Sequence, residues 1–275
     1  MKPKILYSPL ILKEPILKTL RDSFKDCVKF VDVKNLEGIT AASQYTTAFL
    51  DLRNAVKLAN SIDLRIKPEG IYDYATQALI FGKELFLNYD FYILPAYLLE
   101  EKTETPVFCK PVDLIKKFGG QIIKDKIDAK GLLLTTATTP DTKLILSTVK
   151  PIKLGSETRF FVNNGRIVHY SGYSPENAEV DKDIIKFAKS VIPSDNCMDE
   201  RLRLFNLGRY TLDVCQLETG EFKVVEINCF HTSGFYLCDP VAIVLECFKG
   251  TANFNGFIKV LKETRPDVLE WYGKV

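Results

Sequence analysis

The segment from Thr211 to Asn228 constrains this chain most, because two alternating runs, Tyr210 to Leu217 and Phe222 to Asn228, flank a polar turn centred on Thr219-Gly220. Counting back from that turn sets Glu218 opposite Glu221, Leu217 opposite Phe222, Asp213 opposite Glu226 and Thr211 opposite Asn228. Asp213, Glu226 and Asn228 then share one face. Directly opposed side chains have Cβ atoms about 4.5 to 5.5 Å apart, so two carboxylates so placed repel unless something positive lies between them. A hard cation would remove that conflict, and magnesium binds through one or two carboxylates together with substrate phosphates. An acidic pair on a solvent-facing sheet is the plainer alternative, and it stays open at this point.

Bulk properties narrow the classes. A length of 275 residues lies near the size at which one core divides, so two packed lobes are expected. With 46% hydrophobic and 26% charged residues the composition is that of an ordinary globular protein. A net charge of +2 lacks the basic footprint of a duplex binder, so no nucleic-acid partner is expected. The seven cysteines are odd in number and hold no C-x-x-C pair, which reads as reduced thiols of a cytoplasmic protein. The opening Met1-Lys2-Pro3-Lys4 runs into strand-like Ile5-Leu6-Tyr7 without the apolar stretch of a signal peptide, and no segment is long enough to span a membrane.

Short apolar runs (Lys4 to Tyr7, Val28 to Val33) alternate with amphipathic stretches (Ala48 to Ile62, Tyr72 to Phe86), predicting an N-terminal α/β lobe over residues 1–104. The polar run Glu100 to Pro106 marks its end, and Val107 to Lys110 begins the next region as a strand. Strands are expected over Leu144 to Val149 and Arg159 to Val162. Asn163-Asn164-Gly165 turns the chain back into Arg166 to Tyr170, and a helix follows over Asp181 to Val191.

Four motifs in this order carry a resemblance. Val224-Val225-Glu226-Ile227-Asn228 resembles the E-x-N metal strand of ATP-grasp enzymes, with Asp213 as its acidic partner. Thr105 to Pro111 resembles the family's lysine-bearing strand, and Glu157-Thr158-Arg159 its acidic-x-Arg strand. With Lys117-Phe118-Gly119-Gly120 these residues are most similar to a clade, often phage-encoded, marked by one arginine and two lysines. The resemblance covers residues 105 to 240. It implies an α/β (α+β) ATP-grasp fold, in which the N-terminal lobe precedes two α+β subdomains, 105–150 for nucleotide and 151–275 for metal, enclosing a nucleotide cleft.

The same resemblance implies residue roles and cofactors, ATP and Mg2+. Lys110 and Lys117 would contact ATP phosphates. Val149, Lys150 and nearby backbone would form the adenine hinge, with Glu157 reaching the ribose or serving as a base behind the residues that touch substrate. Arg159 would stabilise the transferred group, and Asp213, Glu226 and Asn228 would hold the metal. The chain departs from many members in having only Gly119-Gly120 where a richer glycine loop stands.

Cys229 to Tyr236 follows the metal strand directly, so His231, Ser233 and Gly234 are candidates for contacting the acceptor, with His231 as a general base or as a hydrogen-bonded loop histidine. Cys229, His231 and Cys238 match no common zinc spacing. The implied activity is an ATP-dependent carboxylate ligase. It would form an acylphosphate that an amine attacks, on a small-molecule, amino-acid or peptide substrate, in a cytoplasm that is the host's if the gene is phage-borne. A small-molecule kinase on the same fold and a non-catalytic nucleotide-binding or interaction protein are the alternatives.

Overall fold

A computed structural model describes residues 2–35, 47–51, 54, 73–102, 106–112, 118–136, 138–175, 179–192 and 208–274. The chain divides into two compact units, one of residues 1–68, 154–214 and 227–275, the other of residues 69–153 and 215–226. Each unit draws on both sides of the polar run Glu100 to Pro106.

The first unit holds a parallel three-stranded sheet in the order β2-β1-β3, with β1 (Lys4–Tyr7) between β2 (Lys29–Asp32) and β3 (Thr47–Phe49). Ile5, Leu6, Ala48 and Phe49 are buried, which is why these short runs read as apolar. Helix Glu14–Phe24 starts with a proline in its first turn and buries Leu17, Leu20 and Phe24, a stripe at helical spacing. That stripe packs against helices Pro240–Cys247 and Phe254–Thr264, where Phe24, Phe248 and Phe257 meet edge to face or tilted. The amphipathic reading of Ala48 to Ile62 gives way at its start to strand β3. Three residues are too few to show a period of two, and most of the remaining stretch lies outside the described residues.

A four-stranded sheet has the order β11-β10-β8-β9, with β8 Thr158–Asn163, β9 Arg166–Gly172, β10 Arg209–Gln216 and β11 Phe222–Cys229. All six residues of β8 are buried. Asn164 (φ 47°) and Gly165 (φ 73°) both take the left-handed conformation that a two-residue hairpin requires, as their sequence predicts. Helix Lys182–Val191 begins behind Asp181, whose carboxylate accepts the Asp183 N–H.

The turn between β10 and β11 differs from the two-residue count. The Gly220 N–H bonds to the Leu217 carbonyl at 2.9 Å and the Leu217 N–H to the Glu221 carbonyl at 2.8 Å, with Gly220 at φ 92°. Leu217 therefore lies opposite Glu221 and not Phe222, because the glycine adds a bulge to a three-residue loop.

The C-terminal helix Pro266–Lys274 docks on β9 through Trp271. Its indole Nε1 donates to the Val168 carbonyl at 3.1 Å, and its ring lies 4.7 Å from that of His169. Beside it the buried Glu246 carboxylate accepts from Asn163, Arg166 and the Tyr272 hydroxyl.

The second unit is built on an antiparallel sheet in the order β4-β7-β5-β6, with β4 Tyr92–Pro95, β5 Val107–Pro111, β6 Gln121–Ile123 and β7 Lys143–Thr148. Val107, Cys109, Ile123, Leu144 and Leu146 turn one face into a core with Ala129 and Leu132 of helix Lys126–Thr135. Alternation along β5 puts Phe108 and Lys110 on the opposite face. Helix Tyr74–Leu85 starts behind Asp73, which accepts the Thr76 N–H, and is interrupted by Gly82 at φ 65° and ψ 177°. Among the described residues no helix is long and apolar enough to cross a membrane.

Candidate functional site

In the first unit, register pairs Arg159 of β8 with Asp213 of β10. Arg159 Nε donates to Asp213 Oδ1 at 2.8 Å and Nη2 to Oδ2 at 2.6 Å, a fork on a carboxylate. The guanidinium also donates to the Tyr173 hydroxyl at 2.9 Å and to the Gly234 carbonyl at 3.2 Å. It lies 4.8 Å from the ring of Tyr236 and 5.4 Å from that of Tyr173, and those two rings are 4.0 Å apart. Asp213 is 0% and Arg159 5% exposed. Burial alone would lower the Arg159 pKa, but the Asp213 charge and its hydrogen bonds raise it well above the ordinary value. Burial first, then the Asp213 charge, raises the Tyr173 hydroxyl, which stays a neutral phenol. Asn228 reaches the same carboxylate, its Nδ2 donating to Asp213 Oδ2 at 3.2 Å. Three residues singled out from sequence, Arg159, Asp213 and Asn228, thus come together. The repulsion expected at Asp213 is answered by a guanidinium.

In the second unit Lys110 of β5 and Glu226 of β11 form an ion pair, Nζ to Oε2 at 2.9 Å, with side chains only 13% and 17% exposed. Two further expected residues are therefore joined directly. The ammonium also stands 4.3 Å from the centre of the Tyr74 ring. After β7, Lys150 pairs with Asp90 at 3.2 Å, and the Thr148 hydroxyl donates to the same carboxylate. Burial works to raise the Asp90 carboxyl, but the bonds from Thr148 and Lys150 outweigh it and hold its pKa below the usual range. Val149 lies half-buried between those two residues, and Glu157, also half-buried, precedes β8 in the first unit. Lys117 lies outside the described residues, as does most of the expected helix Asp113 to Phe118. Gly120 has a packing reason of its own, since a Cβ there would meet the Phe108 ring at 2.6 Å.

The loop after β11 is drawn into the core of the first unit. His231 is buried between the rings of Phe49 and Phe230, its Nδ1 donates to the Ala48 carbonyl at 2.8 Å, and its own carbonyl accepts the Leu50 N–H. Burial, helped by the Arg209 charge, pushes its pKa down to about 4, so it stays neutral and ties the loop to β3. As placed, the ring is a hydrogen-bonded loop histidine, one of the two roles its position in the sequence suggests. The Ser233 hydroxyl donates to the Cys229 carbonyl at 2.8 Å and shares a 2.9 Å bond with Thr211, and the Gly234 carbonyl is the group that meets Arg159. Cys238 donates to Ser171, and burial pushes its thiol up to about 12.

Tyr173, Tyr236, Tyr74 and Asp90 enter these clusters without a sequence signal, since an aromatic or acidic residue in a turn or first helical turn is common. Tyr236 has one mark visible in the backbone, a left-handed φ of 49° that a non-glycine residue adopts only under constraint.

Asp213 and Glu226 offer carboxylate oxygens and Asn228 an amide oxygen, the ligand type magnesium prefers. Asn228 lies within hydrogen-bond distance of Asp213, and each acidic group meets a cation, Asp213 with Arg159 and Glu226 with Lys110. Among the described residues no group of three or more His, Cys, Asp or Glu gathers as a cage. By residue type, oxygen ligands of this kind suit an ion that brings phosphate oxygens with it and not a zinc-like centre.

Comparisons with known proteins identify the fold. The fold is similar to that of D-cycloserine synthetase DcsG (12% identity over 89% of this chain and 98% of that one, TM-score 0.56). It is also similar to a RimK domain ATP-grasp protein from Sphaerobacter thermophilus (12%, 90% and 100%, TM-score 0.57). A third likeness is to D-alanine–D-alanine ligase from Bacillus anthracis, solved with ATP (14%, 100% and 99%, TM-score 0.54). Among curated proteins none matches the sequence. Residues 74–246 match the family described as ATP-grasp domain, R2K clade family 3, a span that runs from the helix beneath Lys110 to Glu246 and takes in Arg159, Asp213, Glu226 and Asn228. With an ATP-grasp fold and a family match over more than half its length, the chain belongs to the R2K clade of ATP-grasp domains.

Proposed function

We propose that this chain is an ATP-dependent carboxylate ligase that converts a substrate carboxylate to an acylphosphate, which an amine or related nucleophile then attacks with release of ADP and phosphate. The observation that supports the reading is the pair of cation–carboxylate contacts, Arg159 with Asp213 and Lys110 with Glu226, made by residues on strands that resemble the family's lysine-bearing, acidic-x-Arg and metal strands. Lys110 would hold the nucleotide phosphates, with Lys117 as a second contact, and Val149 and Lys150 would receive the base, with Glu157 beside the ribose. Asp213, Glu226 and Asn228 would supply oxygen ligands to magnesium. When bound, that ion would neutralise phosphate charge and polarise the transferred group.

The chain's own groups mainly position and balance charge. Arg159, fixed by Asp213, Tyr173 and Gly234, would present a preset positive field. Ser233 and Gly234 would shape the acceptor side through their backbone. Ligases among the similar structures include one named for D-alanine, which supports a small amino-acid or peptide substrate. We infer a cytoplasmic site of action, where Mg-ATP is abundant.

Calorimetric titration of ATP with and without magnesium, on the wild-type chain and on Asp213→Asn, tests this reading. Magnesium-dependent binding that weakens in the variant is expected, followed by ADP and phosphate as products in an acceptor screen. Release of AMP and pyrophosphate would overturn the acylphosphate route, a stable phosphorylated product would mark a kinase, and binding without any turnover would mark a nucleotide-binding protein.

A further inference from the structure

Among the partners of the Lys110 ammonium are two of different kinds, the Glu226 carboxylate and the face of Tyr74. Tyr74 is itself held on several sides. Its hydroxyl accepts from Asn88 Nδ2 at 2.6 Å, its ring meets Phe86 at 4.9 Å and Phe91 edge-on at 5.5 Å, and it is 7% exposed. Burial, followed by the charges of Glu226 and Asp90, raises the Tyr74 phenol well above its ordinary pKa, so the ring stays neutral and its π-face constant.

These contacts have a physical consequence for a lysine. An ammonium on a four-carbon stem is a flexible point charge that rarely holds one position by itself. A carboxylate alone would hold Lys110, yet would also compete with phosphate for it. An aromatic face attracts the cation without neutralising it, and in a partly desolvated place that attraction is significant.

We propose that Tyr74, fixed by Asn88, is a positioning residue for nucleotide binding: it holds the Lys110 ammonium in place while leaving its charge available to a phosphate. The proposal rests on the nucleotide-binding reading of Lys110 given above. Tyr74 would touch no substrate and would act through Lys110 alone.

The test is a double-mutant cycle read by calorimetric titration of Mg-ATP into the full chain. Tyr74→Leu, which removes the ring, is expected to weaken binding by roughly 3- to 30-fold. Tyr74→Phe keeps the ring and should stay within about twofold of wild type even where its melting temperature falls because Asn88 loses its acceptor. On a Lys110→Met background, Tyr74→Leu should cost nothing further. Losses that add on that background, or a Tyr74→Phe variant as weak as Tyr74→Leu, would overturn the proposal.

Where Lys110→Met binds too weakly to read, 13C relaxation of the reductively methylated Lys110 side chain decides the matter without nucleotide. Increased motion in Tyr74→Leu but not in Tyr74→Phe is expected, and unchanged motion in both would sink the idea. A wild-type chain that binds no ATP would remove the underlying reading instead, and the lysine relaxation would separate that outcome from a failure of the Tyr74 contact.

Discussion

Arg159 and Asp213 face each other across β8 and β10 through two bonds of 2.8 and 2.6 Å, and the carboxylate has no exposure to solvent. A charge pair this deep is costly to form and more costly to halve, because the survivor is left buried without compensation.

Arg159→Ala is therefore expected to destabilise the protein by about 3–5 kcal/mol, read as a lowered urea midpoint with an unchanged slope. Arg159→Met with Asp213→Leu should recover much of that loss, since neither charge is then stranded. The double variant should fold and yet bind Mg-ATP poorly, separating the stabilising role of the pair from its proposed chemical one. A double variant less stable than Arg159→Ala would show that the pair is not the source of the effect.

The two histidines make stability depend on pH in one direction. His231 titrates near 4 in the fold and near about 6.5 when unfolded. Below about 6.5 the unfolded chain binds the proton more readily, so His231's contribution is complete above that value and is lost as pH falls toward 4, on the order of 3 kcal/mol in all. His169, whose pKa burial also lowers, acts in the same sense. Unfolding free energies measured between pH 7 and 4 should fall less steeply for His231→Gln than for wild type. Identical slopes would mean that the ring is not buried neutral.

Gly120 is expected to tolerate no side chain at wild-type stability. A methyl there would lie 2.6 and 2.7 Å from two atoms of the Phe108 ring. Gly120→Ala should cost about 1–3 kcal/mol through overpacking. Adding Phe108→Leu should return part of it, as a thermal shift would register. A Gly120→Ala variant as stable as wild type would show that the ring moves aside freely.

Much of this arrangement was legible in the sequence where a strand announced itself by alternation. β5 with Lys110, β8 with Arg159, and β10 and β11 with Asp213, Glu226 and Asn228 are all strands in the structure, and the Asn164-Gly165 hairpin has the backbone its residues require. Register was less secure, because one left-handed glycine at 220 shifts Leu217 from Phe222 to Glu221, and a residue count cannot see a bulge. Strands as short as β3 and β6 leave no period to read. His231 shows another limit, since its enclosure by Phe49 and Phe230 joins residues some 180 positions apart, a contact that no local pattern encodes. Tyr74 is of the same kind, reaching Lys110 only through the fold.

The chain has one tryptophan, and Trp271 is tied to Val168 by its indole N–H and lies tilted against the ring of His169. Its emission is thus a built-in optical label for the docking of the last helix on β9. Because a protonated imidazole quenches a neighbouring indole, the same signal would dim as His169 gains its proton, giving a label-free reading of the first unit's integrity during any titration of the protein.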